Sequence, residues 1–190
     1  MYKLFLDAVS TCGRVVLLDD GVKISEDILS LSGNESSLLP SRVFSFLKEN
    51  TITASELSHI YVVHGPGSFT GIRSICLFVN TLAYIYPQLT LTPLSFFDLF
   101  AHYPIIKQSS RRDVFVKKEK NATIDILSLQ ELQVYLQNIP ECYGSFDVTS
   151  LEGVHTNLVQ NYGVEEVISR LNNKSLKFIE PLYIKNPNIS

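Results

Sequence analysis

The decapeptide His64-Gly65-Pro66-Gly67-Ser68-Phe69-Thr70-Gly71-Ile72-Arg73 joins the short apolar run Ile60-Tyr61-Val62-Val63 to a longer one, Ile72 to Tyr86, that stops at Pro87. The first run has strand character and the second has helical period. Three glycines and a proline in seven residues make the junction a sharp strand-to-helix turn. Gly65, Gly67 and Gly71 permit positive φ or a close backbone approach. Ser68 and Thr70 are able to cap the helix that follows.

The turn invites three catalytic or nucleotide-binding readings, and its spacing fails each. A Walker A loop needs Gly-Lys-Ser/Thr after four residues, but Gly71 is followed by Ile72. A dinucleotide fingerprint starting at Gly65 and Gly67 needs its third glycine at position 70, which is Thr70. A nucleophile elbow needs Gly-x-Ser-x-Gly, and here Ser68 directly follows Gly67. An anion on the helix-start amides and a plain packed turn are the readings left open. His64 with Ser68 and Asp7 has the residue types of a hydrolytic triad, which requires the histidine to face both partners; a histidine closing a buried strand is the alternative. His59, His64, His102 and His155 show no metal-ligand spacing. Arg111, Arg112, Lys117, Lys118 and Lys120 form the one basic cluster, either a solvated hairpin or a small patch for RNA phosphates.

Composition narrows the classes. The 190 residues carry 16 Lys and Arg against 19 Asp and Glu, a net charge of -3 that does not suit a stand-alone nucleic-acid binder. With 45% hydrophobic and 18% charged residues the chain is globular. Cys12, Cys76 and Cys142 are scattered, with no CxxC pair, as expected of reduced cysteines in the cytoplasm. The start, Met1 to Asp7, reads as a first strand rather than a signal peptide. No apolar run has the length of a membrane span, so a soluble cytoplasmic protein is expected.

Lys3–Leu6 and Val15–Leu18 predict an opening antiparallel hairpin, closed by Asp19-Asp20-Gly21 and continuing into a strand over Val22–Ile28. A polar segment, Ser32 to Ser37, leads to a helix over Leu38–Lys48, with Leu39, Val43, Phe46 and Leu47 on one face and Phe44 outside it. Thr53 and Glu56 have capping-box spacing ahead of the Ile60 strand. The helix after the glycine turn has two apolar stripes: Ile72, Ile75, Cys76, Val79, Leu82, Ala83 and Tyr86, and then Leu77, Phe78, Tyr84 and Ile85. Such a helix is buried on two faces, in the core or against a partner chain. Further on, strands are expected at Leu89–Leu91, Val114–Val116, Ile124–Leu127 and Phe146–Val148, with a short helix capped by Ser95. Longer helices are expected at Leu129–Gln137 and Val164–Leu171. Pro181 to Lys185 reads as an extended tail. No sequence repeat is visible.

Val62-Val63-His64-Gly65-Pro66-Gly67-Ser68-Phe69-Thr70-Gly71-Ile72-Arg73 resembles the signature of the TsaB (YeaZ) proteins, which belong to the threonylcarbamoyladenosine tRNA-modification system within the actin-like ATPase superfamily. Leu4-Phe5-Leu6-Asp7 with Val15-Val16-Leu17 resembles that family's opening hairpin, Leu38-Leu39-Pro40 the start of its first helix, and Pro181-Leu182-Tyr183-Ile184-Lys185 its closing Pro-x-Tyr-Leu-Arg. The stretch from Tyr103 to Val164 matches weakly and looks shortened.

The resemblance implies an α/β protein with the two-lobe actin-like (ASKHA, ribonuclease H-like) fold. Residues 1–103 would form the first lobe, carrying the partner-binding helices. Residues 104–190 would form a reduced second lobe, with a C-terminal segment that can return to the first. It implies a pseudoenzyme: a non-catalytic scaffold and activator of a TsaD-like transferase that makes threonylcarbamoyladenosine beside the anticodon of tRNAs reading codons that start with A. A TsaE-like ATPase joins the complex, ATP and metal sit on the partner subunits, no cofactor is bound by this chain alone, and tRNA is met through the complex. The two first-lobe helices would pack on TsaD or on a second copy in a homodimer. The expected interface residues are Leu39, Val43, Phe46 and Leu47 on one helix with Ile75, Phe78, Val79 and Leu82 on the other, and the stripe that faces the partner is open. Gly65, Gly67, Ser68, Thr70 and Gly71 would set the entry of the second helix.

Departures from the superfamily agree with a scaffold. Active relatives have glycine just after the first-strand aspartate, where this chain has Ala8 and β-branched Val9. The metal-binding histidine pair of TsaD would fall at Asn34-Glu35-Ser36-Ser37, which has no histidine. An Asp-Ala-Arg-Arg-like string is replaced by Ser109-Ser110-Arg111-Arg112, so only the arginines carry over. The rival expectations are an active actin-like ATPase or kinase using Asp7 and the glycine turn, and a serine hydrolase or peptidase built on Ser68 and His64.

Overall fold

The computed structural model describes residues 1–10, 13–29, 37–147, 149, 151–171 and 175–185. The chain forms two compact units, Met1–Phe96 with Val164–Ser190, and Phe97–Gly163.

The first unit opens with β1 (Tyr2–Asp7), β2 (Gly13–Asp19) and β3 (Val22–Leu29), β2 pairing antiparallel with both others and turning into β3 through Asp20-Gly21, where both residues have positive φ. Helix α1 (Leu39–Glu49) carries Pro40 in its first turn, where a missing N–H costs nothing. A 3-10 turn at Ala54–Glu56 follows, held by Glu56, which accepts from the Thr53 N–H at 2.8 Å. Next come β4 (Leu57–Gly65), α2 (Phe69–Ile85) and β5 (Thr90–Ser95). The sheet order is β3-β2-β1-β4-β5, with β1, β4 and β5 mutually parallel. Alternation along the strands turns Leu4, Leu6, Val15, Leu17, Ile60 and Val62 onto α1 and α2, whose inward faces complete the main core. The expected strand at Leu89–Leu91 runs instead through Pro93 to Ser95, because an edge strand tolerates a residue without an N–H.

The second unit holds β6 (Ile105–Gln108), β7 (Asp113–Lys117), β8 (Asp125–Ser128), α3 (Leu129–Leu136), β9 (Glu141–Ser145) and β10 (Asn157–Val159). Its order is β10-β9-β6-β7-β8, with β6, β7 and β8 antiparallel and β6, β9 and β10 parallel. Read from β8, this repeats the topology of the first unit strand for strand, and α3 holds the place of α1. The β9–β10 connection has no α-helix among its described residues, so the counterpart of α2 is missing there. Two strands, β6 and β10, were not expected from the sequence. The strand expected at Phe146–Val148 lies earlier, at Glu141–Ser145; Phe146 and Asp147 fall beyond it and Val148 lies outside the described residues. Gly144 permits the earlier position: at φ +126 a Cβ there would stand 1.9 Å from the Ile106 carbonyl oxygen.

Residues 164–171, with α4 (Val164–Ser169), and 175–185 belong with the first unit, and residues 97–103 with the second. Cys76 and Cys142 are free and buried, and burial pushes both thiols up to about 12. Cys12 lies outside the described residues. No helix among those described is long and apolar enough to cross a membrane.

Within the first sheet, His59 of β4 sits between two hydroxyls of β5, with Nδ1 2.6 Å from Thr90 Oγ1 and Nε2 2.9 Å from Thr92 Oγ1. Burial, helped by the Lys3 ammonium, pushes its pKa from 6.5 down to about 4. Between those values the unfolded chain binds a proton that the folded chain refuses. Stability is therefore full above pH 6.5 and falls as the pH drops towards 4. Thermal melts across this window should show that fall in the wild type and a flatter profile in His59→Gln.

Candidate functional site

The glycine turn is a corner filled by the chain itself. The Gly65–Pro66 peptide is cis, and Gly65 has φ +142. Ser68 caps α2, its Oγ accepting from the Gly71 N–H at 3.1 Å, and a Cβ on Gly71 would stand 2.6 Å from that oxygen. Thr70 lies exposed in the first turn and plays no part in that cap. Gly67 faces aliphatic carbon: a Cβ there would come 2.9 Å from Val9 Cγ1 and 3.2 Å from Ile72 Cγ2. Asp7 is fully buried at the end of β1, and its Oδ1 accepts from the N–H groups of Val9 and Ser10 at 2.9 and 3.0 Å.

These contacts decide how well the corner suits a nucleotide phosphate. The amides after Asp7 that would wrap an anion are turned onto the Asp7 carboxylate instead, and the Val9 side chain packs on Gly67. A phosphate here would meet methyl groups and a buried carboxylate, so the residues present do not fit one. His64 Nδ1 lies 2.7 Å from the Glu180 carbonyl oxygen, which can only accept, so this nitrogen carries the proton and is not available to an orienting carboxylate. Ser68, His64 and Asp7 thus serve a helix cap, a backbone tether and a loop closure. Among the described residues no group of three His, Cys, Asp or Glu side chains could hold a metal; positions 34–36, where the TsaD histidine pair would fall, lie outside them.

The expected interface residues lie in the main core. Leu39, Val43, Phe46, Leu47, Ile75, Val79 and Leu82 are nearly or wholly inaccessible, and Phe78 is little more exposed. Of the two α2 stripes, the one with Ile75, Cys76, Val79, Leu82 and Ala83 packs into the main core with the sheet and α1. The other stripe faces out: Leu77, Tyr84 and Ile85 are 70%, 87% and 55% exposed. Phe44, the apolar residue outside the α1 stripe, is also exposed and meets Phe78 edge-on, with ring centres 5.8 Å apart. Between α1 and α2 runs a groove of about 470 Å³, walled by Phe44, Leu77 and Ile85 and floored by Phe78 and Leu82. Phe78 and Leu82 are thus the two expected interface residues that line this groove. The sequence did signal this ridge, in the second stripe and in the misfit of Phe44.

The basic cluster surrounds the β6–β7 hairpin, with Arg111 and Arg112 exposed at its turn and Lys118 paired to Asp125 at 2.9 Å.

Residues 31–108 match the model of a protein family described as "TsaD: tRNA N6-adenosine threonylcarbamoyltransferase". The uncharacterized protein MG208 of Mycoplasma genitalium is 32% identical over 97 residues, which is 50% of this chain and 49% of that protein. Its Mycoplasma pneumoniae homologue is 32% identical over 96 residues, again 50% of this chain and 49% of the relative. The aligned part therefore spans about half the length of the curated relatives it matches. Among solved structures, a Pseudomonas aeruginosa protein described as similar to peptidase YeaZ superposes with a TM-score of 0.69 at 15% identity, over 97% of this chain and 99% of the other. YeaZ of Pseudomonas aeruginosa gives 0.67 at 15% identity, over 96% and 99%. The two-lobe actin-like fold is thereby borne out. Over residues 31–108 the chain is thus similar to the TsaD family model, and over almost its whole length it shares the fold of YeaZ, in line with the resemblance to TsaB (YeaZ) read from its glycine turn.

Proposed function

We propose that this chain is a non-catalytic scaffold and activator of a TsaD-like threonylcarbamoyl transferase. It would act in the cytoplasm, in the formation of threonylcarbamoyladenosine beside the anticodon of tRNAs reading A-starting codons. The observation that carries this reading is the pairing of an uncovered apolar ridge on α1 and α2 with a corner that is already filled. The segment matched to the TsaD family contains the ridge and the glycine turn, since it runs from before α1 through β6, while Val9 and Leu182, which fill the corner, come from outside it. The uncharged residues Phe44, Leu77, Tyr84 and Ile85 would meet the partner, with Phe78 and Leu82 at the floor of the groove. Leu39, Val43, Phe46, Leu47, Ile75 and Val79 would act from beneath by holding the two helices at one spacing. The first lobe then carries the partner face, and the smaller second lobe is free for other parts of the complex. A TsaE-like ATPase joins the pair, ATP and metal belong to the partner subunits, and tRNA is reached through the complex. A second copy of this chain is the alternative occupant of the ridge.

The description of the matched family names a transferase, and that favours an active actin-like enzyme as the second reading. Titration calorimetry separates the two: tight binding of ATP with magnesium by the isolated chain would support the enzyme. For the scaffold, tRNA modification reconstituted with and without this chain should require it.

Two sets of variants refine the test. Leu77→Asp with Tyr84→Asp places charge on exposed positions, so stability should change by only about 0.5 kcal/mol at each site. Co-elution with the TsaD-like partner should nevertheless be lost, because a charge in an apolar interface has no compensation. Unchanged co-elution of the folded double variant would sink the assignment. Val79→Asp should instead unfold the first unit or cost about 3 kcal/mol or more, as read by chemical denaturation, because its charge enters the core. Ser68→Ala should cost about 1 kcal/mol as a lost cap and leave reconstituted tRNA modification unchanged, whereas a Ser68 nucleophile would make it inactive.

A further inference from the structure

Residues 175–185 cross the first unit as an extended strap, and the strap is tied down at every third residue. Leu176 and Leu91 exchange two backbone hydrogen bonds, 2.7 and 2.8 Å long, on the outer edge of β5. Three residues on, the Asn80 carboxamide of α2 clamps Ile179 from both sides: Ile179 N–H donates to Oδ1 and Nδ2 donates to the Ile179 carbonyl, each at 2.9 Å. Three further on, Leu182 N–H donates to the His64 carbonyl at 3.0 Å. Between these ties, Lys177 Nζ donates to the carbonyls of Pro87 and Leu89, and His64 Nδ1 donates to that of Glu180. Tyr183 then stacks on Phe69, the first residue of α2, with ring centres 5.2 Å apart, and the Arg73 guanidinium lies 5.0 Å from the Phe69 ring centre.

A three-residue repeat is the period of a polyproline II-like strand, which has no internal hydrogen bonds and needs its partners from outside. The side chains agree with that period, since Leu176, Ile179 and Leu182 are the apolar residues at the tied positions, and Ile179 enters the main core. Phe178, between ties, is 63% exposed. The receiving surface is shaped for this segment at the corner. A Cβ on Gly65 would stand 2.4 Å from the Leu182 carbonyl oxygen, so only glycine lets the strap reach β4. The Glu180 and Leu182 carbonyls bring negative dipole ends to the corner, the wrong polarity for an anion beside them.

We propose that the β5 edge, the Asn80 flank of α2 and the Gly65 corner form a peptide-binding channel whose ligand is the chain's own segment 176–183, and that this segment fixes the first turn of α2. Its ligand class is an extended peptide with an apolar residue at every third position. The glycine motif then has a molecular task that does not depend on which partner sits on the ridge.

Hydrogen exchange on the full chain, read by mass spectrometry, tests the channel. In Asn80→Ala, exchange over 176–182 should speed up at least tenfold. Exchange at Gly71 and Ile72 should rise with it, while β1 and β2 keep wild-type protection. Leu182→Pro, which removes a single strap N–H, should give the same coupled pattern and covers the case in which Asn80→Ala folds poorly. Faster strap exchange with Gly71 and Ile72 unchanged would overturn the coupling, and unchanged strap exchange in both variants would overturn the channel. Restored protection at Gly71 and Ile72 when 20-fold excess inorganic phosphate is added to Asn80→Ala would overturn it in favour of an anion site.

Discussion

Lack of room at the glycine corner is the constraint on which the first unit depends. Val9 closes on Gly67, the Ser68 hydroxyl on Gly71 and the Leu182 carbonyl on Gly65, from three separate parts of the chain. Each approach is shorter than a side chain would allow, so the three glycines act together, as sockets for an aliphatic plug, a helix cap and a strap. The direction in which α2 leaves β4 follows from all three. The position of the apolar ridge follows from that direction.

The same geometry separates two properties that an apolar helix carries together. The face of α2 with Ile75 and Val79 is spent on the sheet and α1, and the face with Leu77 and Tyr84 is left to solvent. A mutation on the inner face reports on folding, and one on the outer face reports on association. Residues such as Phe78 and Leu82, at the floor of the groove, belong to both categories and are poor probes of either.

Much of the first unit was legible because its pattern is regular. Leu39, Val43, Phe46 and Leu47 repeat at helical spacing and are the buried residues of α1, while Phe44 breaks the spacing and is exposed. Periodicity could define both stripes of α2 but not choose between them, since either is apolar enough to line a core; the fold turns Ile75 and Val79 inward and leaves Leu77 and Tyr84 exposed. The second unit was harder. In β9 the inward residues are Cys142 and Gly144, small and weakly strand-forming, so the apolar signal shifts to Phe146. β10 has three residues, too few for an alternation to register. The repeated sheet order left no trace in the residues because topology needs only a similar sequence of buried and exposed positions. Of the strap, only the end, Pro181 to Lys185, reads as extended in the sequence, and the spacing of Leu176, Ile179 and Leu182 matches the period of neither a helix nor a strand. The positions of Asn80 and Gly65 relative to it come from the fold alone.

The clasp between His64 and Glu180 joins residues 116 positions apart. During synthesis β4 and α2 leave the ribosome well before the segment that seats beside them, with the whole second unit translated in between. Until then the outer edge of β5 has its backbone groups unpaired, and the core lacks Ile179. The nascent first unit is thus an unfinished sheet with an open border, the kind of edge that recruits chaperones or stray strands. Closure by so distant a segment raises contact order and slows folding, and it leaves the last step of the first unit's folding to the strap.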